Sequence, residues 1–109
     1  MRVMAHVIVW RFRVRPEHIA GFERAYGPDG DWAQLFRQCN GYLGTELVRD
    51  VAVPGLYLTF DRWRSAADYD AMLRGHVGDY TRLDADCAVL TLTEDKLGAF
   101  EAVENKLHS

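Results

Sequence analysis

Four side chains that can donate or accept hydrogen bonds occupy alternate positions of one short stretch. Residues 56–63 read Leu-Tyr-Leu-Thr-Phe-Asp-Arg-Trp, which puts a phenol, a hydroxyl, a carboxylate and an indole in one set: Tyr57, Thr59, Asp61 and Trp63. Alternation of this kind is typical of a β-strand, whose successive side chains point to opposite faces of a sheet. A carboxylate can accept a proton, and an indole N–H can stabilise charge that develops on an oxygen atom. We therefore expect a candidate site on this strand face, although the residues do not identify its ligand.

Asp61 and Trp63 each have a structural explanation as well as a chemical one. If Asp61 lies beside Gly44 and is shielded from water, its pKa rises and it can act as a base. If Asp61 pairs with Arg11 or Arg62, its role is structural. Trp63 is explained equally well as the wall of a pocket and as a core residue at the end of a strand. Both alternatives stay open at the level of the residues.

A long helical stripe after residue 65 carries the other candidate groups. Apolar and aromatic residues recur at spacings of three and four, at Tyr69, Met72, Leu73, His76, Tyr80, Leu83 and Cys87. His76 has a side chain that titrates near neutrality, so it is a second candidate proton carrier, or a core histidine. Tyr69 and Tyr80 could bind a substrate oxygen or simply pack. Glycines at 75 and 78 predict a kink or break near His76.

The elements that position these residues are predicted to follow one another as β-α-β-β-α-β. Strands are predicted at residues 5–14, 42–49, 56–63 and 96–103, with a hairpin at 50–55. Helices are predicted from residue 16 to 39, broken by Gly-Pro-Asp-Gly at 27–30, and from 65 to 87. Asp31 and Ser65 are the expected N-caps of the helices that follow them. Residues 91–95 are predicted to be turn-like, and residues 104–109 are predicted to be a tail.

This order predicts one α+β domain over residues 1–109, with a ferredoxin-like fold and a four-stranded antiparallel sheet. In the predicted hairpin, Tyr42 lies opposite Trp63 and Gly44 lies opposite Asp61, although a slip of one residue would exchange the strand faces. Two helices cover only one face of such a sheet, and both faces carry apolar or aromatic residues. We therefore predict a homodimer in which the two uncovered sheet faces pack against each other.

Composition argues against several other classes of protein. With 13 Lys and Arg against 16 Asp and Glu, and a net charge of −3, the chain lacks the basic excess of a nucleic-acid-binding protein. No apolar run is long enough to cross a bilayer or to form a signal-peptide core, so a cytoplasmic protein without a membrane partner is expected. Neither the four histidines nor Cys39 and Cys87 have the spacing of metal ligands, so no metal is expected.

Three segments of the sequence carry a family resemblance. They are Val-Ile-Val-Trp-Arg-Phe-Arg-Val-Arg-Pro-Glu at 7–17, Gly-Tyr-Leu-Gly-Thr-Glu-Leu at 41–47 and Leu-Thr-Phe-Asp-Arg-Trp-Arg-Ser at 58–65. With the order of the elements, they resemble the antibiotic biosynthesis monooxygenase family over almost the whole chain, to about residue 103. The resemblance implies the dimeric α/β-barrel fold and a pocket between the sheet and the helices of each subunit.

The resemblance also implies an oxygen chemistry for this pocket. One branch of the family oxidises aromatic polyketide phenols to quinones with O2 and without metal or flavin, and the tryptophan of that branch matches Trp63. Its aromatic residue six positions later matches Tyr69, whereas its asparagine four positions before the tryptophan is Thr59 here. A haem-degrading branch has an asparagine near the position of Trp10 and a helix histidine to which His76 is a loose match.

The leading hypothesis from the sequence is a cofactor-independent monooxygenase that oxidises a small aromatic phenol or quinol with O2. The predicted catalytic residues are Trp63, Asp61 and His76. The predicted substrate-binding residues are Trp10, Thr59, Tyr69 and Tyr80. Two alternatives stay open: a non-catalytic dimer that binds a small molecule, and a haem-binding or haem-degrading protein.

Overall fold

The computed structural model describes residues 4–103 of the chain. Its strands are β1 (His6–Val14), β2 (Tyr42–Arg49), β3 (Leu56–Trp63) and β4 (Thr91–Glu101). Its α-helices are α1 (Ile19–Tyr26), α2 (Asp31–Phe36), α3 (Ala66–Gly75) and α4 (Val77–Cys87), with short 3-10 helices at Pro16–His18 and Ala88–Leu90. The tail predicted at residues 104–109 lies outside the described residues.

The four strands form one antiparallel sheet in the order β2-β3-β1-β4. In the central pair, Trp10 of β1 lies opposite Thr59 of β3, and Ile8 lies opposite Asp61. With its helices, this sheet is the α+β, ferredoxin-like fold that the sequence predicts. The candidate face of β3 is therefore adjacent to the inward-facing residues of β1.

The hydrophobic core lies between the helices and one face of this sheet. The sheet contributes Ile8, Phe12, Val14, Tyr57 and Trp63, and the helices contribute Phe22, Tyr26, Trp32, Leu35, Phe36, Tyr69, Met72 and Cys87. Each fully buried large side chain stabilises the fold by roughly 1.5–3 kcal/mol. Since Tyr57 and Trp63 belong to this core, their strand face lies under the helices, and alternate residues such as Phe60 face away from them.

The register between β2 and β3 differs from the predicted one after its first pair. Tyr42 lies opposite Trp63, as predicted, but a β-bulge then inserts one extra residue into β2. Gly44 has a φ of 146°, a conformation that costs little without a Cβ atom. The bulge displaces the rest of β2 by one position, so the prediction that Gly44 faces Asp61 is wrong. Thr45 lies opposite Asp61 instead.

The last strand begins earlier than the sequence predicts. Residues 91–95, predicted to be turn-like, form the first half of β4 and pair with β1, from Thr91 opposite Val14 to Asp95 opposite Arg11. Because β4 is an edge strand with largely exposed side chains, it needs no apolar alternation. Arg11 and Asp95 are 3.4 Å apart across the strand pair, which accounts for part of the alternating arginine pattern of β1.

Local sequence signals account for some of the helix ends, but α2 ends at Phe36, before the predicted end at residue 39. Ser65 caps α3 as predicted: its Oγ accepts a hydrogen bond from the Asp68 N–H at 3.1 Å. The predicted break occurs at His76, where α3 ends and α4 begins. The prediction that Asp31 caps α2 is wrong, because Gly30 is the N-cap and makes no side-chain bond. Asp31 is the first helical residue, where its charge still favours the helix dipole.

Candidate functional site

A cavity of about 50 Å³ lies between the helices and the inward face of the sheet. Six aromatic side chains line it: Trp10, Phe12, Tyr26, Trp32, Phe36 and Tyr80. Two threonines, Thr45 and Thr59, and three carboxylates, Asp61, Asp84 and Glu94, complete the lining. A cavity of this size holds a few water molecules, so a phenol ring enters only when lining side chains move.

Asp61 is a carboxylate at the cavity wall with no charged partner among the described residues. Thr45 donates a hydrogen bond to its Oδ1 at 2.6 Å. Burial raises the pKa of Asp61 to about 6, although the Thr45 bond favours the charged form and acts in the opposite direction. The alternative ion pair with Arg11 or Arg62 is not formed, because Arg11 pairs with Asp95 and Arg62 points to the opposite sheet face. At neutral pH, Asp61 is therefore a carboxylate of increased basicity.

Asp61 is also the end of a chain of three hydrogen-bonded side chains. The hydroxyl groups of Tyr42 and Thr45 are 2.6 Å apart. Because Thr45 already donates its single hydroxyl proton to Asp61, Tyr42 must be the donor in this second bond. The chain connects the carboxylate at the cavity with the half-buried phenol of Tyr42, whose pKa is raised by burial.

Four of the predicted site residues meet around the cavity. Asp61 and Thr59 enter it from β3, Trp10 from the neighbouring β1 and Tyr80 from α4. Thr59 is buried, so its hydroxyl faces the cavity and not bulk solvent. Burial raises the pKa of the Tyr80 phenol, which keeps that phenol protonated at neutral pH. These four side chains combine one proton acceptor with two hydroxyl groups and an indole.

Trp63 and Tyr69 lie beside the cavity without lining it. Trp63 has no exposed surface, and its ring centroid is 5.4 Å from that of Phe36 and 5.8 Å from that of Tyr69. Phe36 lines the cavity, so Trp63 packs directly behind a cavity wall. The indole N–H of Trp63 has no hydrogen-bond partner among the described residues.

His76 lies away from the cavity lining, at the break between α3 and α4. Its Nδ1 is 3.8 Å from the carboxylate of Asp79 on α4. No histidine lines the cavity. The haem-binding hypothesis therefore lacks an axial histidine at this cavity.

Seven lining residues were not predicted as site residues. The sequence carries a signal for some of them and none for others. Phe12, Tyr26, Trp32 and Phe36 have the periodicity of core residues, which does not distinguish a core position from a cavity wall. Asp84 follows Tyr80 by four residues and so shares its helix face, which is a usable signal. Thr45 and Glu94 could not be found, because the β-bulge and the early start of β4 bring them to the cavity.

The charged side chains that line the cavity all have the same sign. Asp84 on α4 and Glu94 on β4 add two exposed carboxylates to that of Asp61, and no Lys, Arg or His lines the cavity. Burial, and then the charge of Asp84, raise the pKa of Glu94. Among the described residues, no ion pair involves any of these three carboxylates.

One unused donor accompanies these acceptors. The buried indole N–H of Trp32 has no hydrogen-bond partner among the described residues. Since Trp32 lines the cavity, its indole is a candidate donor to a ligand oxygen. Within residues 4–103, no group of three or more His, Cys, Asp or Glu side chains could hold a metal ion. The same residues include no helix that is long and apolar enough to cross a membrane.

Solved structures with the same fold include both named oxygenases and proteins of unknown function. A putative antibiotic biosynthesis monooxygenase from Deinococcus radiodurans superimposes with a TM-score of 0.72 at 21% identity, covering 92% of this chain and 94% of that chain. SnoaB from Streptomyces nogalater, a cofactor-independent oxygenase, gives 0.63 at 22% identity, covering 97% and 99%. A protein of unknown function from Nitrosomonas europaea gives 0.71 at 17% identity, covering 100% and 99%. At these identities, the similarity establishes the fold.

Sequence comparison defines the family more directly. No functionally curated protein sequence matches the chain significantly. The sequence model of the antibiotic biosynthesis monooxygenase family matches residues 5–76, which include β1, β2, β3 and α3. Because this match extends over more than half of the chain, the protein belongs to the antibiotic biosynthesis monooxygenase family.

Proposed function

We propose that this protein is a cofactor-independent oxygenase that oxidises an aromatic phenol or quinol with O2, with Asp61 as the proton acceptor. The observation that carries the proposal is the position of Asp61. It is a partly buried carboxylate with a pKa raised by desolvation to about 6, at the wall of a cavity that six aromatic side chains line. A general base is most effective when its pKa lies near the working pH, and Asp61 meets that condition.

The first proposed step is removal of the phenolic proton. Asp61 takes this proton, and the electron-rich phenolate that remains donates an electron to O2. The two radicals then combine to form a carbon–oxygen bond at the ring. Asp61 returns its proton to the peroxide that results, and loss of water from the hydroperoxide leaves a carbonyl on that carbon. One ring C–H and one phenol O–H are thus replaced by a quinone, and the second oxygen atom leaves as water.

Two sets of side chains support this step in the proposal. The hydroxyl of Thr59 and the unused N–H of Trp32 are the donors available to oxygen atoms that gain negative charge. The hydrogen-bonded Thr45 and Tyr42 hold the Asp61 carboxylate in place while it takes the phenolic proton and returns it to the peroxide. Trp63 is proposed as a positioning residue that holds Phe36 from behind, and His76 is given no step.

The predicted homodimer is part of the proposal. The sheet face that the helices leave uncovered carries Leu58 and Phe60 on β3, and Phe100 on β4 is 51% exposed. Phe100 lies opposite Val7 of β1 on this face, so the apolar patch continues across the sheet. A second copy of the chain, packed face to face, would remove this patch from water.

The experiment is oxygen uptake by metal-stripped protein against a panel of anthrones, naphthols and quinols. Wild type is compared with Asp61→Asn, which keeps the shape and an acceptor for Thr45 but removes the base. Loss of a general base lowers the rate by about 10²–10⁴-fold. Asp70→Asn is the matched control, because Asp70 is an exposed acid on α3.

Two outcomes would contradict the proposal. Equal uptake by wild type and Asp61→Asn would remove Asp61 from the mechanism. No uptake across the whole panel, with ligand-dependent quenching of tryptophan fluorescence, would favour the non-catalytic binding protein instead. Quenching is a suitable readout because Trp10 and Trp32 line the cavity.

A further inference from the structure

The cavity combines two features that favour a positive charge on the ligand. Its three carboxylates, Asp61, Asp84 and Glu94, have no cation among the lining residues. Its walls are aromatic, and aromatic faces attract cations through their negative π-surfaces. An anionic ligand group would therefore meet repulsion at the carboxylates, and no cation in the lining would compensate that repulsion.

Asp84 and Glu94 approach the cavity from two different elements. Asp84 is on α4, four residues after the lining Tyr80, and Glu94 is on β4, opposite Phe12 of β1. Both are exposed, whereas Asp61 is partly buried and its carboxylate is largely desolvated. A ligand with its ring against the aromatic walls therefore has two carboxylates available on the solvent side of the cavity.

The proposed reaction also favours a ligand that carries a positive charge. Removing the phenolic proton leaves a negative charge on the substrate and neutralises Asp61, so the two remaining carboxylates, Asp84 and Glu94, oppose that charge. A substrate that carries its own positive group near Asp84 and Glu94 offsets the opposition, because the deprotonated molecule is then neutral overall.

We propose, on the basis of the oxygenase function above, that the substrate is an aromatic phenol bearing a protonated amine. Its ring packs between Trp10, Tyr80 and the other aromatic walls, and its ammonium group lies between Asp84 and Glu94. Asp84 and Glu94 are thus specificity-determining residues that reject phenols bearing a carboxylate.

The test measures binding of three matched phenols by isothermal titration calorimetry at pH near 7.5 and low salt. Tyramine, tyrosol and phloretate carry the same phenol ring and a two-carbon tether that ends in an ammonium, a hydroxyl and a carboxylate group. Tyramine is expected to bind tightest and phloretate weakest, with about a tenfold difference or more between them. Higher salt is expected to reduce the difference, because the carboxylates are exposed.

The variant Asp84→Asn/Glu94→Gln removes both solvent-side charges and keeps their shape. It is expected to reduce the ratio of tyramine to phloretate affinity to about threefold or less, a loss of most of the tenfold preference. Asp70→Asn is again the control and is expected to retain the wild-type ratio. Circular dichroism checks that the double variant is folded, and the single variants Asp84→Asn and Glu94→Gln serve if it is not.

The outcomes separate this inference from the oxygenase proposal. Equal or tighter binding of phloretate, or no binding of any of the three phenols, would overturn the inference. So would an unchanged affinity ratio in the folded double variant. Charge-ranked binding without oxygen uptake on any phenolic amine would overturn the oxygenase proposal alone, and uptake that ignores ligand charge would overturn the charge inference alone.

Discussion

Asp61 has a raised pKa because its surroundings offer one hydrogen bond and no positive charge. Thr45 stabilises the carboxylate, but burial outweighs that bond and raises the pKa to about 6. In the unfolded chain the pKa returns to the ordinary value for aspartate of about 3.9. Folding therefore takes up a proton at Asp61 between these two pH values, and ionisation of Asp61 above pH 6 destabilises the fold.

The first prediction follows from the sign of this shift. Because the folded pKa is the higher one, the Asp61 contribution is fully favourable below about pH 4 and is lost as the pH rises through 6. Asp61→Asn should therefore raise the free energy of unfolding at pH 7.5 by about 1–3 kcal/mol and change it little near pH 4. Urea denaturation at both pH values measures the difference. A variant that is less stable than wild type at pH 7.5 would contradict the burial argument.

The second prediction concerns Thr45. Thr45→Val removes the hydroxyl at nearly constant shape, so the pKa of Asp61 should rise above the wild-type value of about 6. Tyr42→Phe leaves the bond between Thr45 and Asp61 in place and should change that pKa much less. Carbon-detected NMR titration of the Asp61 carboxyl group measures both variants. Equal shifts in the two variants would show that Thr45 has no direct effect.

At the scale of elements, two short features position the site. The bulge in β2 turns Thr45 toward Asp61, and the Ser65 cap sets the direction in which α3 leaves β3. Ser65 and Asp68 also bond to each other through their side chains at 3.0 Å, and Arg64 donates to the same carboxylate at 3.0 Å. The third strand and the following helix are therefore joined by a compact set of local contacts.

The third prediction tests this junction. Ser65→Ala removes the acceptor for the Asp68 N–H and should lower the free energy of unfolding by about 1 kcal/mol. Ser65→Thr, which keeps a hydroxyl group, is the control and should lose less. Thermal and urea denaturation of both variants give the comparison. Equal losses of stability in the two variants would indicate that side-chain volume, and not the capping hydrogen bond, matters at this position.

The fourth prediction contrasts two glycines, one just before β2 and one within α4. Gly41 has a φ of 86°, and a Cβ atom there would lie 2.2 Å from the Asp68 carboxylate, so Gly41→Ala should destabilise by about 1–3 kcal/mol. Gly78 is helical, with open space around it, so Gly78→Ala should stabilise α4 by up to about 1 kcal/mol. Urea denaturation of the two variants should give changes of opposite sign. Changes of the same sign would show that the explanation given for one of the two glycines is wrong.

At the scale of the whole molecule, the helices cover one face of the sheet and leave the other face uncovered. The helix-covered face holds the cavity, while the uncovered face carries the apolar patch around Leu58, Phe60 and Phe100. In the proposed dimer, ligand binding and association would therefore use opposite faces of the sheet. A substitution on the uncovered face should therefore affect association between two copies more than it affects the cavity.

The fifth prediction is the oligomeric state. Wild type should sediment as a dimer at micromolar concentration, and Phe100→Glu should weaken the dimer by about tenfold or more, because it places a charge in the apolar patch. Val51→Glu is the control, since Val51 is fully exposed in the β2–β3 loop and lies outside the patch. A monomeric wild type, or equal effects of the two variants, would contradict the proposed interface.

The sequence by itself determined the elements and most of their ends. The period-two pattern of β3, the proline and glycine breaks around α1, and the Ser65 cap are local signals, so β1, β3 and α3 lie where they were predicted. The family resemblance and the choice of Asp61 as a candidate base also came from the residues. Such features depend on neighbours in the chain, which is why they can be derived without coordinates.

Only the tertiary structure decided which side chains share the cavity. The bulge beside Gly44 exchanges Gly44 for Thr45, and pairing with β1 converts residues 91–95 into a strand that brings Glu94 to the cavity. The tertiary structure also places Trp63 behind the cavity wall, and it places His76 beside Asp79, away from the cavity. These outcomes depend on strand register and on packing between distant segments, and a shift of one residue in register exchanges the two faces of a strand.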